Sequence, residues 1–432
     1  MADYTEEDIQ VTYIYSACCI LKTKDVSVLC DPWFTEGAYD GSWFHYPKIN
    51  NPVEVIGDVD YIYISHIHPD HYDPEFLRLY MKKFGKKKLI ISKRDNNYLE
   101  KKALFDGFEI FNNTNEILIG DTYIQVVPHN TGSLSDIDSL IILIKKNSNS
   151  NYCVVNANDV IFDEGLYKYF DDLRLNIDIL LTGYTGAGPY PQTYYELDDP
   201  KIIEKSNKKK KEFFSRYLST INRLNSKRNI PFAGKYMLGG YLAELNEFRG
   251  VADPIEIVSI DPNAVILSDF GGHISASNLI PSKVRSDKYL PENDDNFIIP
   301  LRDKKMDYEI LFDKELIKKV PYQRLLNSSY RNAIKKSEAN NDLFLGIYYL
   351  NKSEMAVMNI NKNNPSIKFI KNKNIDIPLP YVKIEVDDRY LFGLLTNIFH
   401  WDNAEIGSHL KVRREPDFYF KAVPRFLNFL SL

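Results

Sequence analysis

Three histidines and one aspartate follow a short apolar segment in the order His66-Ile67-His68-Pro69-Asp70-His71, and this loop constrains the chain more than any other feature. The chain has only 8 histidines in 432 residues, so this clustering is improbable by chance. Side chains two residues apart on an extended chain point to the same side, so the imidazoles of His66 and His68 can point toward one metal position. Asp70 and His71 can then turn toward a neighbouring metal position. Imidazole and carboxylate groups in this arrangement predict a site for one or two divalent metal ions.

Short apolar segments separated by turn residues surround this loop. Continuous apolar runs are typical of strands that are covered on both faces. Asp73 and Pro74 favour the start of a helix directly after the histidines, as N-cap and first helical residue. We therefore predict an α/β fold with helices outside the sheets. The predicted strands are Val11–Tyr15, Val26–Cys30, Tyr61–Ser65, Leu89–Ser92, Tyr123–Val127, Leu140–Ile144 and Tyr152–Asn156, and predicted helices include Ile161–Leu173, Asp198–Arg228 and Asp313–Ser337.

The order His-x-His-x-Asp-His resembles the signature of the metallo-β-lactamase superfamily. The resemblance implies a four-layer αβ/βα sandwich with one or two metal ions at the sheet edges and further ligands at later strand ends. His129 follows a predicted strand and looks like the third imidazole of the first metal site. Asp159 ends another strand and looks like the carboxylate that bridges the two ions. Asp70 and Asp159 would then also be catalytic, because they would position a metal-bound hydroxide.

The resemblance narrows to the metallo-β-lactamase-like part of the CMP-N-acetylneuraminate hydroxylase family, and it runs from about residue 10 to about residue 420. Members of that family carry a Rieske iron–sulfur module, which needs paired Cys-x-His and Cys-x-x-His ligands. This sequence has no such pairs, so we expect no Rieske module. The segments that carry the likeness are Asp31-Pro32-Trp33, Gly41-Ser42-Trp43, Ile137-Asp138-Ser139, Gly186–Pro191, Pro231–Gly234, Ile406-Gly407 and Arg414–Asp417.

Three further residues are candidates at the same site. Many superfamily members supply a late histidine ligand, but the segment Pro231–Gly234 occupies that region without one. His273, in a glycine-rich turn, is a possible substitute. Asp31 resembles a carboxylate that stands behind a ligand and orients its imidazole through the free N–H. Asp138 could hold His129 in the same way.

The sequence pattern changes after Ser275, where helix-like stretches come first and alternating strands follow. This change predicts a catalytic domain at residues 8–275 and a C-terminal α+β module at 276–432 that packs on the core. The formal charge of −5 gives no sign of a nucleic-acid partner. No apolar run approaches the roughly 18 residues of a membrane span, and the acidic N-terminus carries no secretory signal. The four cysteines form no CxxC pair, which favours a reduced, cytoplasmic setting.

Three functions fit these residues. The first is a hydrolase in which Zn²⁺ or Mn²⁺ activates a water molecule toward a small, anionic or sugar-like metabolite. The second is an iron-dependent oxygenase, since the same ligands can hold iron; it would need electrons from a separate ferredoxin or reductase. The third is a non-enzymatic scaffold with a degenerate site. The superfamily is mostly hydrolytic, so the first hypothesis is preferred.

Overall fold

The computed structural model describes residues 8–111, 114–130, 137–146, 151–350, 353–371 and 377–432. The strands in these ranges are β1 (Gln10–Tyr15), β2 (Cys18–Lys22), β3 (Ser27–Cys30), β4 (Trp43–Phe44), β5 (Tyr61–Tyr63), β6 (Lys88–Ile90), β7 (Glu116–Ile119), β8 (Thr122–Asn130), β9 (Ile137–Lys146), β10 (Asn151–Asn156), β11 (Ile179–Gly183), β12 (Arg228–Phe232), β13 (Met237–Leu238), β14 (Gly272–Ser275), β15 (Phe344–Tyr349), β16 (Glu354–Asn359), β17 (Ser366–Ile370), β18 (Tyr381–Val386) and β19 (Lys411–Glu415).

The helices lie between and around these strands. They are α1 (Ala38–Gly41), α2 (Pro52–Ile56), α3 (Pro74–Phe84), α4 (Tyr98–Phe105), α5 (Glu164–Leu173), α6 (Lys201–Leu224), α7 (Asp295–Arg302), α8 (Asp307–Leu311), α9 (Lys314–Ile317), α10 (Tyr322–Ser337), α11 (Asp388–Leu395), α12 (Trp401–Ile406) and α13 (Ala422–Leu427), with 3-10 turns at Gly240–Phe248, Pro254–Ser259 and Pro291–Asn293. Among helices in the described ranges, none combines the length and the apolar composition that a membrane crossing requires.

Two six-stranded sheets form the centre of the molecule. The first has the strand order β14-β1-β2-β3-β5-β6, and the second has the order β12-β11-β10-β9-β8-β7. A core of aliphatic and aromatic side chains fills the space between them. Helices α2, α3 and α4 cover the outer face of the first sheet, and α5 and α6 cover the outer face of the second. The predicted four-layer αβ/βα sandwich is therefore confirmed.

Local sequence signals explain where the helices begin and end. The Asp73 side chain accepts from the backbone N–H of Phe76, with Pro74 as first helical residue, as predicted. The predicted helix Ile161–Leu173 begins later, at Glu164, because Asp163 caps it. The predicted helix Asp313–Ser337 was wrong as a single element. Pro321 separates α9 from α10, since proline restricts the residue before it and lacks the N–H that a continuous helix needs.

The C-terminal residues build a mixed five-stranded sheet in the order β17-β16-β15-β18-β19, with helices packed on it. Their apolar core is continuous with the edge of the sandwich. One cluster of buried side chains joins Trp33, Tyr39 and Trp43 to Tyr390 and Trp401. The division of the chain at residue 275 stays a prediction, and the two parts share this core.

Candidate metal centre

The site residues lie where parallel strands end. The carboxyl ends of β3 and β5 lead into Asp31 and His66, and those of β10 and β12 lead into Asp159 and Lys235. Strands β3 and β5 are parallel neighbours in one sheet, while β10, β11 and β12 are parallel neighbours in the other. Loops after parallel strands meet at one edge of an α/β structure, which is where ligands bind. Residues far apart in sequence are thereby brought to one edge of the sandwich.

His66, His71 and Asp159 form a compact group in which one ligand atom from each lies within 4.8 Å of the others. Nε2 of His71 stands 3.4 Å from a carboxylate oxygen of Asp70 and 3.4 Å from one of Asp159. Nδ1 of His68 lies 2.8 Å from Nε2 of His66. The structure thus brings together five of the residues that the sequence singled out. Their coordination of a metal stays a prediction.

A buried carboxylate stands behind His71. Asp31 is fully buried, and its Oδ2 lies 3.4 Å from Nδ1 of His71. The same carboxylate accepts hydrogen bonds from the backbone N–H of Ser65 (2.8 Å) and the side-chain amide of Asn158 (3.0 Å). Nδ1 of the imidazole is thus directed at a carboxylate, which leaves Nε2 for the site. This is the geometry by which a supporting carboxylate fixes a ligand imidazole.

Asp138, the other predicted supporting carboxylate, lies near two histidines. Asp138 was expected to support His129, but its carboxylate also lies 3.7 Å from Nδ1 of His66. His129 pairs with Asp138 across β8 and β9, and its Nε2 lies 3.7 Å from the carboxylate of Asp163, the N-cap of α5. The compact group found among the described residues does not include His129. Its assignment as a metal ligand stays a prediction.

The compact group found in the described part of the chain does not include His273, so its role as a substitute for a late histidine stays a prediction. His273 lies on β14 opposite Thr12, beside Ile274, which is buried between the two sheets. Because side chains alternate along a strand, His273 points to the other face, where its Nδ1 lies 2.9 Å from Ser282 Oγ. Gly234, just before Lys235, has no room for a side chain. A Cβ atom on Gly234 would lie 2.4 Å from Cγ2 of Thr185.

The electrostatics of the group favour a cation. Burial and the neighbouring His71 and His68 hold the pKa of His66 well below its usual value. Its ring is therefore neutral and offers a nitrogen lone pair to a metal ion. Burial opposes the charged form of His71, but Asp70, Asp159 and Asp31 outweigh it and hold the pKa of His71 well above its usual value. Neutral imidazoles and carboxylates are a ligand set for Zn²⁺, Mn²⁺ or Fe²⁺. The residues present therefore fit a divalent ion.

The raised pKa of His71 leads to a prediction about pH. A proton on His71 must leave before Nε2 can bind a metal, so binding will release a proton. We expect the metal affinity of the metal-free chain to rise with pH by up to about tenfold per unit below the pKa of His71 and to level off above it. Competition with a chromophoric chelator at a series of pH values measures this. An affinity that does not change over that range would contradict the placement of His71 among the ligands.

A cavity of about 700 Å³ opens above the group. His66, His68, Asp70 and Asp159 line its inner end, and Asp159 reaches the cavity with 37% of its side chain exposed. Aromatic walls come from Phe213 and from Trp43 and Tyr236, whose rings stack with centroids 3.5 Å apart. The candidate ligands are therefore accessible to a small molecule, while the imidazoles of His66 and His71 stay buried.

Two residues at the site were missed in the sequence. Lys235 lines the cavity, and its ammonium lies 2.6 Å from Oδ1 of Asp269. Burial lowers the pKa of Lys235 to about 8. A charged residue just after a buried strand is the signal that identified Asp159, and it could have identified Lys235. Tyr39, whose hydroxyl donates to Asp70 Oδ1 at 2.5 Å, gave no comparable signal.

Comparison with known proteins matches residues 10–192 to a family described as the beta-lactamase superfamily domain. This segment belongs to the metallo-β-lactamase superfamily. The histidine loop, Asp31, His129 and Asp159 all fall inside it, whereas Lys235 and the C-terminal part of the chain fall outside. The predicted membership is confirmed for this segment.

Relatives of known sequence extend the likeness beyond the metallo-β-lactamase segment. A protein of Mycolicibacterium smegmatis that is named as a Rieske 2Fe-2S iron-sulfur protein is 28% identical over 263 residues, which cover 58% of this chain and 48% of that protein. The cytidine monophosphate-N-acetylneuraminic acid hydroxylase of Danio rerio is 23% identical over 276 residues, which cover 59% of this chain and 44% of the hydroxylase. The predicted relationship to this hydroxylase family is confirmed. The chain spans less than half the length of either relative.

The solved structures that superpose on this chain include an isothiocyanate hydrolase from Delia radicum gut bacteria, which is 16% identical in sequence. The superposition has a TM-score of 0.41 and covers 61% of this chain and 98% of the hydrolase.

Proposed function

We propose that this chain is a metal-dependent hydrolase that acts on a small anionic metabolite. The observation that carries the proposal is the compact group of buried imidazoles and carboxylates at the inner end of an open cavity. His66, His68, Asp70, His71 and Asp159 would hold one or two divalent ions, with His129 as a further ligand. A divalent ion in such a site lowers the pKa of bound water toward neutrality and polarises the substrate oxygen.

The residues of the chain would divide the remaining work. Asp159 is the carboxylate with the greatest access to the cavity within this group, so it is placed to accept a proton from the attacking water and to orient it. One oxygen of Asp70 is held by Tyr39, and the other faces His71, so Asp70 would orient rather than exchange protons.

One cationic side chain at the cavity supports an anionic substrate. Arg216 lies exposed there, with its guanidinium 5.1 Å from the ring centre of Phe213, whereas the ammonium of Lys235 is already paired with Asp269. A carboxylate or phosphate group is what such a guanidinium binds. The Danio rerio relative is named for cytidine monophosphate-N-acetylneuraminic acid, and we propose an acidic sugar or sugar nucleotide as the first class to assay.

The deciding experiment combines metal analysis with a substrate panel. Protein purified under anaerobic conditions will contain Zn²⁺ or Mn²⁺, and it will hydrolyse phosphate-ester, lactone or amide derivatives of acidic sugars. Removal of the metal with a chelator will abolish the reaction, and the same metal will restore it. His68→Ala protein that keeps its full metal content would instead favour a scaffold with a degenerate site.

An iron-dependent oxygenase is the second candidate, and one observation favours it. The sequence similarity to the hydroxylase and to the Rieske-named protein extends over more than 250 residues. This candidate predicts iron in the purified protein and oxygen consumption that depends on a ferredoxin or reductase supplied separately. Zinc as the bound metal, with no oxygen consumption when reductant is present, would count against it.

A further inference from the structure

Two consecutive residues near the site have a backbone conformation that non-glycine residues rarely adopt. Tyr39 (φ 55°, ψ 59°) and Asp40 (φ 60°, ψ 38°) both lie in the left-handed region. Left-handed conformations of this kind persist only where the surrounding structure holds them. The backbone conformation of Ala38–Gly41 therefore depends on contacts with other parts of the chain and not on its own sequence.

The C-terminal part of the chain holds this segment. Nε2 of His409 lies 2.8 Å from the carbonyl oxygen of Tyr39, and because a carbonyl only accepts, this nitrogen carries the proton. The hydroxyl of Tyr390 donates to Asp40 Oδ2 at 2.6 Å. Gly41 packs so closely that a Cβ atom there would lie 2.8 Å from the backbone nitrogen of Asp307. Contacts from three separate C-terminal segments thus fix the strained turn.

The turn presents Tyr39 to the candidate metal ligands. The ring of Tyr39 is buried and packs on Trp43 with centroids 4.5 Å apart. Its hydroxyl donates to Oδ1 of Asp70, and this leaves Oδ2 facing His71. Hydrogen bonds to a coordinating carboxylate select which oxygen turns toward the metal and restrict its motion.

We propose that Tyr39 is a positioning residue of the metal centre and that the C-terminal part, through His409 and Tyr390, fixes the segment that carries it. The inference rests on the proposed metal site. Residues beyond 275 would then help to hold the metal site in place, although none of them is a candidate ligand.

Titration of the metal-free, full-length chain with Co²⁺ tests the role of Tyr39, because the visible absorption of Co²⁺ reports its ligand geometry. In Tyr39→Phe, which removes only the hydroxyl, Co²⁺ will bind about 10- to 100-fold more weakly and its visible spectrum will shift. Tyr330→Phe is the matched control. Its buried hydroxyl donates to the carbonyl oxygen of Asn359, away from the turn and the site, so its Co²⁺ affinity and spectrum will equal those of the wild type.

A pair of His409 variants tests the contribution of the C-terminal part. His409→Phe removes the donor to Tyr39 and will reproduce the affinity loss and spectral shift of Tyr39→Phe. His409→Gln supplies an amide donor and will recover part of the difference. Tyr390→Phe, which removes the anchor of Asp40 without changing side-chain volume much, will show the same spectral shift to a smaller extent.

The outcomes separate this inference from the proposed function. If His71→Ala loses Co²⁺ while Tyr39→Phe and His409→Phe bind it like the wild type with the same spectrum, the inference is wrong and the metal site stands. If His71→Ala itself binds Co²⁺ like the wild type, the proposed function is wrong. Loss of affinity in Tyr39→Phe with a spectrum equal to that of Tyr330→Phe would also overturn the positioning role, because the ligand geometry would then be unchanged.

Discussion

Replacing His71 with alanine will remove stably bound metal and lower any metal-dependent activity by at least about 10³-fold, which corresponds to about 4 kcal/mol of transition-state stabilisation. Nε2 of His71 lies between the carboxylates of Asp70 and Asp159, and Nδ1 lies against Asp31. Without the ring, three carboxylates lose the group that separates them and orients them. Metal content after dialysis and steady-state rates with added metal measure the two effects.

His273→Ala is the matched control for this experiment. The sequence alone made His273 a candidate ligand, but the structure places it on the opposite face of its strand, beside Ser282. We expect metal content and activity equal to the wild type. His68→Ala, which removes a less buried ring, guards against a folding defect in His71→Ala. Full metal content in both His68→Ala and His71→Ala would refute the site.

The fold was predictable because its signals are local and repeated. Buried strands appear in the sequence as apolar runs. Asp73 and Pro74 mark the start of α3, as predicted. The residues directly after β3, β5 and β10 were found for the same reason: polar side chains at the ends of apolar strands stand out. The four-layer arrangement followed from a resemblance, since strand order depends on contacts between residues far apart in sequence.

The sequence could not place residues whose role depends on long-range contacts. Tyr39 is one of 30 tyrosines, and only the contacts of its turn with His409 and Tyr390 bring its hydroxyl to Asp70. His273 had the right residue type, but its orientation depends on the register of β14 against β1. A helix-like pattern also concealed the break at Pro321. In each case a tertiary constraint decided what local propensity left open.

Two substitutions of Asp31 will show separately how this carboxylate contributes to metal affinity and to the free energy of unfolding. Asp31→Ala leaves the N–H of Ser65 and the amide of Asn158 without their buried acceptor, and it removes the carboxylate beside His71. We expect a loss of about 3–5 kcal/mol in the free energy of unfolding. Asp31→Asn keeps the shape and tolerates the left-handed backbone at this residue (φ 43°), so it will unfold closer to the wild type. It will still bind metal about 10- to 100-fold more weakly.

Asp178 provides the comparison that makes the Asp31 result specific. Its carboxylate is also buried and accepts from a backbone N–H, that of Cys153, but it lies just before β11, at the end of the sheet opposite the site. Asp178→Asn and Asp178→Ala will lower the free energy of unfolding, measured by chemical denaturation, while metal affinity stays unchanged. If Asp31→Asn keeps wild-type metal affinity, as the Asp178 variants should, Asp31 serves only to hold the loop between β5 and α3. The imidazole of His71 would then be oriented by Asp70, Asp159 and the hydroxyl of Ser65.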